Sequence, residues 1–238
     1  PSHLQLKPSY NISPGKYAPV ITNDKPNEVQ LFIFGLTPFW AQKPMYIINA
    51  RAEGDRNKED NPEYTGAKDI INKPAFRKPI RTQRCLVIAD AFIEGTSKER
   101  LNKPYLVYLK NNTEPFAFAG IWDTWKNPST GELFNSFAII TTVANSLLQK
   151  LPHHRSPVIL HKNNETDWLS NESTLADITS MLKPFPSELM NAYPISSDIK
   201  NPKADGEHLI KSLSAPLIPE EEISVKTTLR LLGMGRYK

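Results

Sequence analysis

Cysteine is almost missing from this chain: Cys85 is the only one in 238 residues. That excludes an internal disulfide, argues against a cysteine-rich zinc site and fits a reducing compartment. No apolar run is long enough to cross a bilayer as a helix. The opening residues, PSHLQLKPSY, lack the basic start and apolar centre of a signal peptide, so export has no support. Neither sign of charge dominates. Twenty-nine Lys and Arg against 25 Asp and Glu leave +4, which permits a nucleic-acid partner without arguing for one. Glycine is scarce beside proline, 10 against 21. Proline fixes φ and donates no hydrogen bond, so short elements joined by stiff loops are expected, not a helical bundle. The fingerprints GxxxxGK[ST], GxGxxG and GxSxG are missing, and with them the signatures of nucleotide binding and serine hydrolysis.

What is present is a series of short apolar runs, and 39% apolar residues suffice for one core in a chain of this length. Residues 8–19 read as an extended loop with a turn at Pro14-Gly15, and 20–22 as a short strand. Residues 23–27 form a polar turn before QLFIFGL (30–36), a strand apolar on both faces and so expected to be central. Phe39 and Trp40 follow in an irregular segment, as core plugs or as a stacking surface. MYIINA (45–50) is expected as a strand that delivers Asn49 and Arg51 on one face. The charged stretch 52–65 reads as a mobile loop. Asp55, Asn57 and Glu59 hint at a calcium loop, but the sixth position lacks the required glycine. Residues 67–80 read as a short helical region interrupted by Pro74 and Pro79.

RCLVIADAFIEG (84–95) is a buried strand with Glu94 where it runs out. A carboxylate at the rim of a sheet can serve acid–base chemistry or be simply solvated. Cys85 lies in its apolar part, where a thiol is a poor nucleophile. Residues 96–104 read as a basic loop; 105–110 and 116–121 as a hairpin; 134–141 as a strand; 143–151 as a short helix. LPHHRSPVIL (151–160) is a turn feeding a strand, 164–183 holds two short helices, 193–196 is extended, and 207–213 is a short helix. The expected fold class is α+β, a single domain with a mostly antiparallel, curved or barrel-like sheet and short flanking helices.

The polar candidates follow from these strand ends. His153 has the side-chain type of a general acid or base near neutrality, or is half of a surface pair with His154. His3, His161 and His208 have no ligand spacing to that pair, so zinc is not expected. Asn49 and Arg51 could receive an anion or be an ordinary surface pair.

YNISPG (10–15), FGLTPFW (34–40), INARAE (48–53), PAFR (74–77), RCLVIADAFIEG (84–95), AGIWDTW (119–125), FAIITTVAN (137–145), HHRSPVIL (153–160) and NPKADGEHLI (201–210) run in order across almost the whole chain. The ordered set resembles the SRAP family, named for SOS-response-associated peptidase and known for shielding abasic sites in DNA. The family's usual Phe-Tyr-Glu-Trp is Phe92-Ile93-Glu94-Gly95 here, so the acid is kept and its aromatic neighbours are lost. The family's Trp-Gly-Leu is Phe34-Gly35-Leu36, and its His-x-Arg-Met-Pro is His153 to Pro157 with Ser156 in place of Met. Its nucleophile, a cysteine exposed by self-removal of the initiator methionine, has no counterpart in these residues, and the family's strand and helix ahead of YNISPG are expected to be missing as well.

The resemblance implies a protein that binds single-stranded DNA and crosslinks to abasic sites through that N-terminal cysteine, with lyase and autopeptidase activity. It implies Asn49, Glu94 and His153 as catalytic residues. Arg51 and Arg155 would grip phosphates, Trp40 or Phe39 would stack on or wedge a base, and Asn11 would contact the DNA. No cofactor and no metal are implied. The expected partner is single-stranded DNA containing abasic sites, the expected state a monomer, and the expected location the cytoplasm with the nucleoid. A self-processing thiol peptidase and a non-catalytic single-stranded-DNA-binding member are the other readings.

Overall fold

The structure, a computed structural model, describes residues 6–220. Five strands close into a barrel. β1 (Tyr17–Thr22) and β2 (Lys25–Phe34) form a hairpin. β1 also pairs with β4 (Arg84–Ala89), β4 with β7 (Phe116–Lys126), and β7 with β8 (Leu133–Val143), all antiparallel. β2 and β8 then meet in parallel, Ile33 against Ser136 and Phe34 against Phe137, and the ring is complete. Beyond this seam β8 gains two short partners, β3 (Asn49–Arg51) on one edge and β9 (Arg155–Pro157) on the other; Thr141 pairs with both. A second sheet, in the order β10–β6–β5, holds β5 (Ala91–Thr96), β6 (Arg100–Leu109) and β10 (Met190–Pro194). The predicted α+β fold with a barrel-like, mostly antiparallel sheet is the fold observed.

Alternation along the strands sorts side chains into two cores. Val20, Phe32, Cys85, Val87, Phe118 and Phe137, from all five barrel strands, share one core. The opposite faces of β4, β7 and β8 carry Leu86, Ala119, Ile121, Ala138 and Ile140. These pack under α1 (Pro79–Thr82), α3 (Glu165–Leu169) and α4 (Leu175–Ser180) through Ile80, Trp168 and Ile178. Each large side chain buried this way contributes roughly 2 kcal/mol. The helices are short but well started. Pro79 opens α1, Thr174 and Asp177 form a capping box on α4, and the Asn145 side chain caps α2 (Ser146–Lys150).

Several local expectations are corrected. Residues 105–110 and 116–121 do not form a hairpin. The basic segment after Thr96 turns at once and becomes β6, which pairs with β5 and so sits in the second sheet, whereas β7 stays in the barrel. MYIINA shortens to β3 because Tyr46 has φ +51°, left-handed backbone that interrupts a strand. Gly35, at φ +115°, leaves room for Tyr46; a Cβ there would lie 3.1 Å from the Tyr46 backbone. β2 begins earlier than expected and is not central throughout: Val29 and Leu31 are exposed. Segment 52–65 is anchored, with a 3-10 turn at Gly54–Asn57 and two buried polar side chains, Glu53 and Asn57.

β4 and β5 are one run of chain interrupted only at Asp90, so RCLVIADAFIEG starts in the barrel and ends in the second sheet. Its first residue is a buried anchor. The Arg84 guanidinium donates to the carbonyls of Ile80, Arg81, Trp168 and Ser170, tying α1 and α3 to the start of β4. No carboxylate shares this site among the described residues, so backbone dipoles alone satisfy the cation. Arg84→Met removes the charge but strands those carbonyls, and is expected to cost about 3 kcal/mol. Urea unfolding would register this as a lower midpoint at unchanged slope.

Candidate active site

The end of β5 is tied to the turn that follows α2. Ser97 donates its backbone N–H to the Pro152 carbonyl at 3.0 Å, and His153 donates its own to Leu148 at 3.0 Å. These bonds bring Glu94 of β5 to His153, and Glu94 Oε1 lies 3.1 Å from His153 Nε2. Both side chains keep 24% exposure at the wall of a cleft of about 340 Å³. Gly95, Arg100, His153, Arg155 and Asp60 line the same cleft. Glu94 is held above the usual carboxylate range by burial, which the nearby His153 charge and the Gly95 N–H only partly oppose.

His153 Nδ1 lies 2.8 Å from the Arg155 carbonyl. A carbonyl only accepts, and this contact is far shorter than the 3.4 Å approach of the Arg155 N–H to the same nitrogen, so the geometry favours the ring hydrogen on Nδ1. Nε2 of the neutral ring then only accepts, and the proton between it and Glu94 comes from the carboxyl or has passed to the ring. A raised carboxyl facing a fixed imidazole acceptor can give and take one proton.

Arg155 is fixed from behind. Its Nη2 donates to Glu53 Oε2 at 2.7 Å and to the Thr141 carbonyl at 2.8 Å. The other oxygen of Glu53 accepts from Thr142 at 2.6 Å and from Lys68 at 3.0 Å. The Glu53 side chain has 0% exposure. Burial alone pushes this carboxyl up, but the Thr142 hydroxyl, Arg155 and Lys68 together reverse that and hold it at about 2. On the open side, Asp60 Oδ1 accepts from Arg51 at 2.7 Å and from Arg155 at 3.3 Å.

The residues named from the sequence thus separate. Glu94, His153 and Arg155 meet in one cleft, and Arg51 joins them through Asp60. Asn49 is exposed at the start of β3, on the face shared with Arg51, and does not line the cleft. Phe39 and Trp40 are not core plugs: they are 53% and 44% exposed. Their backbone is nonetheless pinned, Phe39 N to Asp123 at 2.9 Å and the Ala41 carbonyl to the Trp125 indole at 2.6 Å. Asn11 is corrected. It is buried, and its amide donates to the carbonyls of Ile199, Asn201 and Ala204, so it clamps the chain onto the 201–204 turn and has no donor left for DNA.

Cys85 is fully buried, and burial pushes its thiol far up, which removes it as a nucleophile. Gly95, where the family's usual pattern has Trp, admits no side chain: a Cβ there would collide with the Arg100 backbone across a β-bulge. Glu53, Asp60 and Lys68 were given no role from the sequence. The only signal for Glu53 was its place in INARAE, two residues after Arg51. A larger cavity, about 760 Å³ along α3 and α4, contains none of these residues.

Glu53 supplies a sign-definite expectation. Its carboxyl is depressed in the folded state, so its stabilisation is present above the unfolded value near 4.5 and is lost as pH falls toward 2. Glu53→Gln is expected to cost about 3 kcal/mol at pH 7. The variant should also lose little further stability from this site between pH 4.5 and 2, a difference readable from urea melts across that range.

The family model described as "SOS response associated peptidase (SRAP)" matches residues 1–202. "Abasic site processing protein YoqW" of Bacillus subtilis is 36% identical over 214 residues, covering 87% of this chain and 88% of that protein. "Abasic site processing protein HMCES" of Gallus gallus is 24% identical over 265 residues, covering 96% of this chain and 73% of that protein. A crystal structure of a protein from Bacteroides thetaiotaomicron superposes with a TM-score of 0.69 at 34% identity, over 83% of this chain and 82% of that one. The chain belongs to the SOS response associated peptidase (SRAP) family.

Proposed function

We propose that this protein processes abasic sites in single-stranded DNA, with Glu94 and His153 as the proton-transfer pair. The observation that carries the reading is the 3.1 Å contact between Glu94 Oε1 and His153 Nε2 in an open cleft that Arg100 and Arg155 also line. An abasic sugar is a hemiacetal. Opening its ring removes a proton from the C1′ hydroxyl and delivers one to the ring oxygen, leaving an aldehyde. A shared proton between a raised carboxyl and an imidazole suits both transfers.

The covalent step needs a nucleophile that Cys85 cannot be. In the family chemistry an N-terminal cysteine fills that role. Its amine adds to the aldehyde, water leaves to give an imine, and its thiol closes across the C=N bond as a thiazolidine. Asn49, exposed beside β8, is the candidate for orienting such an amine. The exposed rings of Phe39 and Trp40 suit stacking on unpaired bases. The peptidase description of the family favours one further use of the same pair, removal of an initiator methionine ahead of that cysteine.

Glu94→Gln in the protein bearing its native N-terminus is expected to slow crosslinking to abasic single-stranded DNA by about a hundredfold, while the affinity for intact strand stays unchanged. Gel-resolved crosslinking rates test this, and a normal rate would remove Glu94 from the mechanism. Binding should also weaken steeply between low and moderate salt, because it rests on phosphate contacts.

A further inference from the structure

We propose that Asp60 stands, in the free protein, where a DNA phosphate stands in the complex, and that the Arg51–Arg155 pair takes up the strand only by displacing this carboxylate. The inference rests on the single-stranded-DNA reading above and adds to it a built-in competitor.

One oxygen carries the argument. Asp60 Oδ1 accepts from Arg51 Nη2 at 2.7 Å and from Arg155 Nη1 at 3.3 Å. A single anionic oxygen between two guanidinium groups is also how a phosphate oxygen would be held. The two acidic partners of Arg155 differ in kind. Glu53 has no exposed surface and is bound by Thr142 and Lys68 as well, so it is a permanent part of the protein. Asp60 keeps 22% exposure, lines the cleft, and has no other side-chain partner among the described residues.

The chain around Asp60 has anchors besides this contact, and Arg51 Nη2 also donates to the Asn57 carbonyl. The Asn57 side chain donates to the Asn61 carbonyl at 3.0 Å and accepts from the Asn61 N–H at 2.9 Å, bracketing Asp60 on both sides. The arginines also hold donors that Asp60 leaves unused. Nε of Arg51 and Nε of Arg155 are buried with no acceptor among the described residues. The pair is thus occupied but not saturated, as expected of a site awaiting an anion with more oxygens.

The device selects for polymers. A lone phosphate must compete with a carboxylate tethered beside the arginines at high effective concentration. A strand that makes other contacts in the cleft at the same time can displace it. Asp60 therefore discriminates against small anions and leaves bound only ligands with several phosphates in register.

The test is affinity for a single-stranded oligonucleotide as a function of salt, using the full chain and the variants Asp60→Asn and Asp24→Asn. Asp24 is exposed in the β1–β2 turn outside the cleft lining, and its substitution changes net charge equally. Asp60→Asn is expected to bind about five- to tenfold tighter at low salt, with a log–log salt slope steeper by about one, and Asp24→Asn to change affinity by less than about twofold. Asp60→Ser, with thermal melting to check folding, should reproduce the gain. Unchanged or weaker binding by both Asp60 variants overturns the proposal, because Asp60 would then be holding the arginines in place for the strand. An equal gain in Asp24→Asn overturns it as a general charge effect. Absence of binding by every form at low salt overturns the single-stranded-DNA reading, and this proposal with it.

Discussion

A carboxylate with no exposed surface organises this molecule's chemistry. Glu53 gathers Arg155, Lys68 and Thr142, drawn from widely separated parts of the chain, and its charge is tolerated inside only because all three donate to it. Arg155 then has one permitted position. Its carbonyl faces the His153 ring, which favours the hydrogen on Nδ1 and turns Nε2 toward Glu94. The Glu94–His153 contact is the last link of a chain that begins with an ion pair in the interior.

The strands make that chain possible. β8 runs past the barrel seam and takes β3 and β9 on its two edges, so Arg51 and Arg155 arrive on either side of one strand. The β4–β5 run passes from barrel to second sheet and carries Glu94 with it, and Ser97 fastens its end to the histidine turn. None of the cleft-lining side chains comes from the five barrel strands; they converge from β5, β6, β9 and the loops beside them.

Much of this was legible in the sequence because period-two alternation and apolar runs are local signals. Cys85 reads as buried from its immediate neighbours, and the short strands, the helix after Asn145 and the barrel-like sheet follow from similar cues. Glu94 was legible only as an acid at a strand end; its weight came from the family resemblance. What stayed hidden depends on partners distant in sequence. Glu53 lies 102 residues from Arg155, and in a stretch crowded with charge it looks like solvent-facing loop until the arginine is placed against it. The place of Asn11 stayed hidden for the same reason, since its three acceptors lie 188 to 193 residues away. The false hairpin at 105–121 failed because neighbouring strands were assumed to pair, and the turn at 97–99 had already sent β6 to the other sheet.

The seam between β2 and β8 also bears on how the chain folds. It is the one parallel join in the ring, it spans only two residue pairs, and it unites segments separated by about a hundred residues. Closing a loop that long costs more entropy than closing the β1–β2 or β7–β8 hairpin, and so short a join returns little against it. It is the shortest pairing in the ring, and β3 continues directly from it along β8. The strand that presents Asn49 and Arg51 is therefore coupled to the least secured edge of the barrel.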